Sequence, residues 1–437
     1  MTKKFQQVIN SNLFIVVALV LSRVLIDYIY ISDVSPKYSY RGLTYSYSLW
    51  HLVLSWIVLA IFIRLILHLV NRKNNESEKG AVLINILLCC SAVPTTTIIA
   101  CFNLDILFSV LLIVYWSLIV FLYGRRNKNK LVIRGFAIKQ TKILFYIITA
   151  VFALNLIFII FRYTGVSFNF NLIDVYDARS TFKSDRIPTI LRYLFYGSTM
   201  AFPIVVIYTL NARNMLLASI ASICQILAFF VDGRKVTLFM LILTVAGYLF
   251  IKNFNVRLIP FGSFGLILIG CLEKWILHTN FFINYIVRRL YILPAYLQYA
   301  YYDYFSSNQK DFFRQSIIGR IGFTSPYDSQ IPNVVGMQYY GGSYANNGLF
   351  ADAYANFGFL GAVLFPFLIV WALKLLDRCC GKLSMGVCMG IIFSLSSALL
   401  SSSFFTVMLT HGYLICCIIA ALMPMTTNSL VKRNKSF

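Results

Sequence analysis

Polar residues are scarce in this chain, and where they gather near its end they share one face. The stretch from Gly341 onward reads GGSYANNGLFADAYANFGFLGAVL, a turn-rich run that passes at Leu349 into an apolar helix. Asp352 and Asn356 lie in the first turns of that helix, four residues apart, so they face the same way. A carboxylate there can take the proton of an attacking hydroxyl. It can equally complement the positive end of the helix dipole. The sequence leaves both readings open. Asn347, just before the helix, adds an amide to the same neighbourhood.

Arginine supplies the second set. Asp232-Gly233-Arg234-Lys235 forms a short turn between two apolar runs. A guanidinium can grip a diphosphate through two parallel hydrogen bonds, or it can anchor a helix end at an interface. Arg179 and Arg186 fall on a neighbouring loop, with Arg192 just beyond. Arg288, Arg289 and Arg320 fall in a longer loop. His278 is the histidine best placed for proton transfer. The sequence has no HExxH, no phosphate-binding glycine loop and no paired metal-binding acids, so neither metal nor cofactor is expected.

Positioning these residues is a task for membrane helices. Of 437 residues 59% are hydrophobic and 12% charged, with 28 Tyr and 38 Phe. A mean hydropathy of +0.76 excludes an ordinary soluble domain. The periodicity and run lengths predict an all-α polytopic membrane protein of about twelve spans. They run over 12–31, 48–70, 81–101, 104–123, 143–161, 189–210, 215–231, 236–251, 257–272, 349–373, 383–400 and 404–423. Three divisions follow: residues 1–272 with nine spans, a large outer loop over 273–348, and residues 349–437 with three spans and a tail. Gly262, Gly265 and Gly270 offer close helix packing or a break in the ninth span.

Basic residues in the short loops, above all over 124–142, place that side and both termini in the cytoplasm. The net charge of +23 then points to anionic lipid head groups and not to nucleic acid. Two loops on the opposite side are basic as well, 163–188 and 273–348. Within the latter, 281–304 reads as an amphipathic helix broken at Pro294 and lying along the membrane. The ten cysteines fall mainly in apolar runs and suggest neither a disulfide framework nor a metal site. The first apolar run lacks a cleavage motif and is expected to be retained. Inside the spans, Arg23 and Asp27 are four apart and are expected to pair, while Arg64 can snorkel.

RRLYILPAYLQYAYYDYF (288–305) followed by ANNGLFADAYANFGFLGAVL (345–364) resembles the outer loop and following helix of Wzy-type O-antigen and capsular oligosaccharide repeat-unit polymerases. The DGRK turn resembles the Gly-Arg turn of that group and of the related O-antigen ligases. The resemblance implies the architecture of C-type glycosyltransferases. It implies metal-independent glycosyl transfer at the outer face of a bacterial inner membrane. Undecaprenyl-diphosphate-linked oligosaccharide would serve as donor and acceptor, with a chain-length regulator as a candidate partner. Arg179, Arg186, Arg234, Lys235, Arg288, Arg289 and Arg320 would bind the diphosphate, Asn347 and Asn356 the substrate, and Asp352 would act in catalysis. Outer-loop tyrosines would stack on sugars or pack a core. A flippase or transporter for the same lipid, or a ligase, are the alternatives. A transporter should show pseudo-symmetric halves, and the histidine motif expected in the ligase loop is not evident.

Topology is the first expectation to test. A reporter fused within 300–340 should be active only in the periplasm, and one within 126–140 only in the cytoplasm. The reverse pattern would discard the placement of every residue named above.

Overall fold

The computed structural model describes residues 11–72, 78–102, 104–125, 138–165, 187–250, 255–316, 318–383 and 385–423. Among these residues the regular structure is entirely helical. That is what an apolar chain needs in lipid, where only internal hydrogen bonds can satisfy the backbone. Ten helices among the described residues are long and apolar enough to cross a membrane, the fold of a polytopic membrane protein. They are α1 Asn12–Arg41, α2 Leu49–Val70, α3 Lys79–Cys101, α4 Ile106–Gly124, α5 Ile143–Thr164, α6 Thr189–Asn211, α7 Met215–Asp232, α9 Leu258–Leu277, α12 Phe350–Cys379 and α14 Phe404–Leu422. Two apolar helices are shorter: α8 over Lys235–Leu249 and α13 over Cys388–Ser401. Between α9 and α12 lie α10, Leu293–Ser307, and α11, Ile331–Tyr339.

Several of these helices are irregular. The chain winds as a π-helix at Tyr30–Val34, Leu88–Ala92, Ile160–Thr164, Glu273–Leu277 and Ile283–Ile292. The π turn at Tyr30–Val34 carries α1 on to Arg41, well past the end expected at residue 31. Lys274, in the π turn that ends α9, donates to Asp33 in the first at 2.6 Å. α14 is interrupted at Gly412, where φ is +73°.

By packing, the chain forms two units. One comprises residues 1–126, 255–374 and 396–404, and the other 127–254, 375–395 and 405–437. In the first, Arg23 is 0% exposed. Its Nε lies 2.7 Å from Asp27, its Nη atoms donate to Thr96 and Ser55, and the guanidinium covers the Trp56 ring. The pair expected from the i, i+4 spacing is therefore present, and it ties three helices together. Arg64 is exposed.

Residues 281–304 differ from expectation. Pro294 does not break the helix. It stands in the first turn of α10, where the π ladder of Ile283–Ile292 gives way to α. A missing N–H is tolerated at such a position. Phe281 and Tyr285 at the helix's start are exposed, while its later part, α10, is packed into the protein. Tyr296, Leu297, Tyr301, Tyr302 and Phe305 are buried, and the Gln298 amide donates to Ser91 on α3 at 2.7 Å. Tyr302 donates to Asp105 at 2.7 Å. That bond and one from Leu107 N hold the Asp105 carboxyl below its usual range. These tyrosines bury their rings and find partners for their hydroxyls, so they form a core and not a sugar-stacking surface.

In the second unit, Gln225 donates to the carbonyls of Thr199 and Thr237 at 3.1 and 2.9 Å, joining α6, α7 and α8. Close backbone approach occurs at Gly247, where a Cβ would lie 2.1 Å from Gly386 O. Of the three glycines read as offering close packing or a break, Gly270 packs closely, with a Cβ there 3.1 Å from the Val287 side chain, while Gly262 and Gly265 face open space.

Removing one partner of a buried ion pair leaves an uncompensated charge. Asp27→Ala should therefore destabilise the detergent-solubilised protein by about 3 kcal/mol. The joint replacement Arg23→Met, Asp27→Leu should come close to neutral, since apolar packing often matches a buried pair. Thermal unfolding of the three proteins decides, and equal midpoints for all would deny the pair a structural role.

Candidate functional site

The site begins with a fault in α12. Gly358 has φ +55° and ψ −129°, outside helical geometry. A break there frees the carbonyls one turn earlier from their usual partners. The Ala355 and Asn356 carbonyls instead accept from Asp311 N at 3.0 Å and Phe312 N at 3.3 Å. The Asn356 side chain accepts from Phe313 N at 2.7 Å. Phe312 and Phe313 have φ of +52° and +61°, a conformation non-glycine residues seldom adopt. These three bonds hold them in it. Lys310 closes the other side. Its ammonium donates to the carbonyls of Phe305 and Asn308, lies over the Tyr354 ring, and is pushed below its ordinary pKa by burial.

Asp352 and Asn356 face one another, as their spacing requires. Asn356 Nδ2 donates to Asp352 Oδ1 at 3.0 Å, and Asp352 Oδ2 accepts from Phe404 N at 2.7 Å. Asp352 is 6% exposed. Both oxygens are thus engaged, and the pair works as a clasp joining α12 to the 311–313 turn and to Phe404. Asn347 is buried too. It donates to Pro294 O at 3.1 Å and accepts from Gly348 N. A Cβ on Gly348 would lie 2.2 Å from Leu399 O, so only glycine fits there.

Arginine Arg288 is placed differently. It is 5% exposed, its guanidinium lies 4.2 Å from the Tyr38 ring centroid, and Nη1 points to Tyr340 OH at 3.5 Å. Arg41 also contacts Tyr340: its guanidinium lies 5.2 Å from the Tyr40 ring and 5.5 Å from that of Tyr340. The Nε atoms of both arginines are buried without a hydrogen-bond partner among the described residues. No carboxylate among the described residues lies within ion-pair distance of either. Gly42, with φ +77°, brings the Arg41 turn against α10 and α11: a Cβ there would lie 2.2 Å from Tyr296 OH and 2.5 Å from Tyr339 O. Arg41 is absent from the candidates named by sequence. Its signal is a cation on a loop opposite the basic side, beside a glycine.

Arg289 is exposed, with its guanidinium 5.8 Å from the Tyr285 ring. In the second unit, Arg234 donates Nε to Asp232 at 2.5 Å and its backbone N at 2.8 Å. It also covers the Tyr196 ring at 4.4 Å. One edge of that guanidinium is thereby taken, while Nη2 is buried without a hydrogen-bond partner among the described residues. Lys235 is exposed, and so is His278. Arg179, Arg186 and the Arg320 side chain lie outside the described residues. Among the described residues no group of three or more His, Cys, Asp or Glu is placed to hold a metal ion. Compared with known proteins, the chain matches no family model, no curated protein and no solved structure.

The clasp gives a clear expectation for Asp352→Asn. The two donors meet different oxygens of the carboxylate, and an amide puts an NH2 in place of one of them, facing either Asn356 Nδ2 or Phe404 N donor to donor. One donor is left unpaired in a buried site, which costs about 1–3 kcal/mol. Thermal unfolding in detergent should show that loss. An unchanged midpoint would mean that the two bonds carry no stability.

Proposed function

We propose that this chain is an oligosaccharide repeat-unit polymerase of the Wzy type. It acts at the outer face of a bacterial inner membrane, with both termini in the cytoplasm. Arg288 is the observation that carries the reading. A nearly buried guanidinium with no described carboxylate to neutralise it is expensive unless an anion joins it. A lipid-linked diphosphate supplies that anion with two phosphoryl groups suited to a planar fork. Arg41 adds a second cation, over the ring of Tyr340, whose hydroxyl Arg288 approaches. The ten long and two shorter apolar helices, with a long segment before the tenth expected span, suit the same reading and the architecture of C-type glycosyltransferases.

In this mechanism the acceptor hydroxyl attacks the anomeric carbon of the donor sugar. The bond from that carbon to the diphosphate oxygen breaks, and the electron pair leaves with the diphosphate. Arg288 and Arg41 stabilise the charge that gathers on the leaving group, a contribution realised most fully in the transition state. The sugar passes through an oxocarbenium-like state. Asp352 and Asn356 act as positioning residues, since they fix the 311–313 turn to α12. The acceptor proton is lost to solvent or to a carboxylate released from such a clasp. Within the first unit, Arg289 is exposed to approaching lipid; in the second unit, Arg234 and Lys235 are candidates for anionic substrate groups in their own right. A chain-length regulator is a candidate partner.

The test is incubation of purified protein with lipid-linked repeat unit and a gel of the products. The wild type should give a ladder. Arg288→Gln should slow it roughly 10- to 100-fold, as loss of one to two charge-assisted hydrogen bonds implies. Arg288→Lys should recover little, because an ammonium lacks the fork. Transbilayer movement of the lipid with no ladder would favour the transporter reading instead.

A further inference from the structure

The last turn of α4 ends among cations. Arg72, just past α2, donates Nη2 to Gly124 O at 3.5 Å and lies 5.4 Å from the Tyr123 ring centroid. Lys374 on α12 donates to Arg125 O at 3.3 Å. Arg125 itself is exposed, with its guanidinium 5.1 Å from the Phe121 ring. Cations from three chain segments, all in the first unit, thus meet round one helix end. We infer that this end of the bundle binds the head group of an anionic glycerophospholipid. The inference does not rest on the polymerase reading. Arg257 ties Asn71, beside Arg72, to Asn12 at the start of α1, whereas Arg41 stands at the far end of α1.

A helix C-terminus favours a cation, but it amounts to only about half a negative charge. Glu78 lies 3.5 Å from Arg72 Nη1 and offsets one cation more. Asp377 and Arg378, the next charges along α12, add one of each sign. Positive charge is left over. The sequences that arrive here share the bias: 71–79 and 124–142 carry three and seven basic residues against two acids. Like charges gathered on one helix end repel, and an anion among them relieves that. The neighbours on the apolar side say which anion. Phe121 and Trp371, one turn back from Arg125 and Lys374, are 60% and 55% exposed. Rings at that level suit the boundary between head groups and acyl chains, and a soluble phosphate has no use for them. A phosphodiester sets its oxygens among the cations while its chains run along α4 and α12. Each Lys or Arg near a membrane surface adds to the attraction for anionic lipid.

The experiment is native mass spectrometry of the full chain in detergent, titrated with phosphatidylglycerol or with phosphatidylcholine of the same acyl chains. Wild type should hold phosphatidylglycerol roughly 10- to 100-fold more tightly at its first site. Arg125→Gln should cut that preference about fivefold, and Arg125→Gln with Lys374→Gln should remove most of it. Arg125→Lys keeps the charge and should keep the preference. Arg213→Gln removes an exposed cation from the second unit and should leave the preference unchanged. Arg125 and Arg213 are exposed, so these single variants do not threaten folding. Glycerol 3-phosphate at the lipid's concentration should not displace it. Equal binding of the two lipids by wild type overturns the inference. So does a full preference in the double variant, or a loss in Arg213→Gln as large as that in Arg125→Gln. Displacement by glycerol 3-phosphate would make this a site for a soluble anion and overturn the assignment to lipid.

Discussion

A helix that stops and restarts at Gly358 must find donors for the carbonyls it abandons. In lipid or in a protein core those groups cannot be left to water. The chain answers with a turn from forty residues upstream, whose N–H groups at Asp311, Phe312 and Phe313 meet the carbonyls of Ala355 and Asn356 and the side chain of Asn356. Everything on that side of the first unit follows from this repair. The turn adopts left-handed geometry at Phe312 and Phe313 because the donors must point into the break. Lys310 lies over Gly358, whose φ of +55° favours glycine and where a Cβ would lie 2.9 Å from Lys310 Cε. Asp352 fixes the orientation of Asn356 and adds Phe404 to the assembly.

The clasp also decides what the acid can do. A general base needs an oxygen within reach of its substrate. Asp352 instead presents both oxygens to the protein. In the reaction proposed above, the work falls to positioning and to leaving-group stabilisation, which in a water-poor site account for much of the rate in many enzymes. Glycosyl transfer from a lipid diphosphate is suited to that division, because the leaving group is already a stable anion and the hydroxyl becomes acidic only as the new bond forms.

How much of this was legible in the sequence depends on where each partner lies along the chain. Arg23 with Asp27, and Asp352 with Asn356, could be read directly because four residues on one helix fix the geometry. The long apolar runs likewise declared their helices. The partners of the clasp could not be read, since Phe313 N and Phe404 N come from 43 and 52 residues away. Pro294 misleads because proline usually ends a helix, whereas here the ladder changes from π to α at that point. The tyrosines of α10 stay open in the sequence because the same ring that stacks on sugar also packs a core. Arg41 was hidden because no periodicity announces that a π turn extends α1 into what reads as a loop.

Arg23 and Arg288 make the functional argument by contrast. Both guanidinium groups are almost wholly withdrawn from solvent, and both lie over an aromatic ring. Arg23 has a carboxylate at 2.7 Å and two hydroxyls. Its hydrogen bonding is local and its charge is matched, so it can be explained by structure alone. Arg288 has a ring, a long contact to a tyrosine hydroxyl and an unpartnered Nε. A ring face offsets only part of the cost of burying a cation. The remainder has to come from a counterion that the described residues do not supply. A second arginine, Arg41, lies against the ring of Tyr340, the tyrosine whose hydroxyl Arg288 approaches. Arg288 therefore differs from Arg23 in the one respect that structure alone does not explain, a buried cation with no carboxylate beside it among the described residues, and it is this difference that the proposed function draws on.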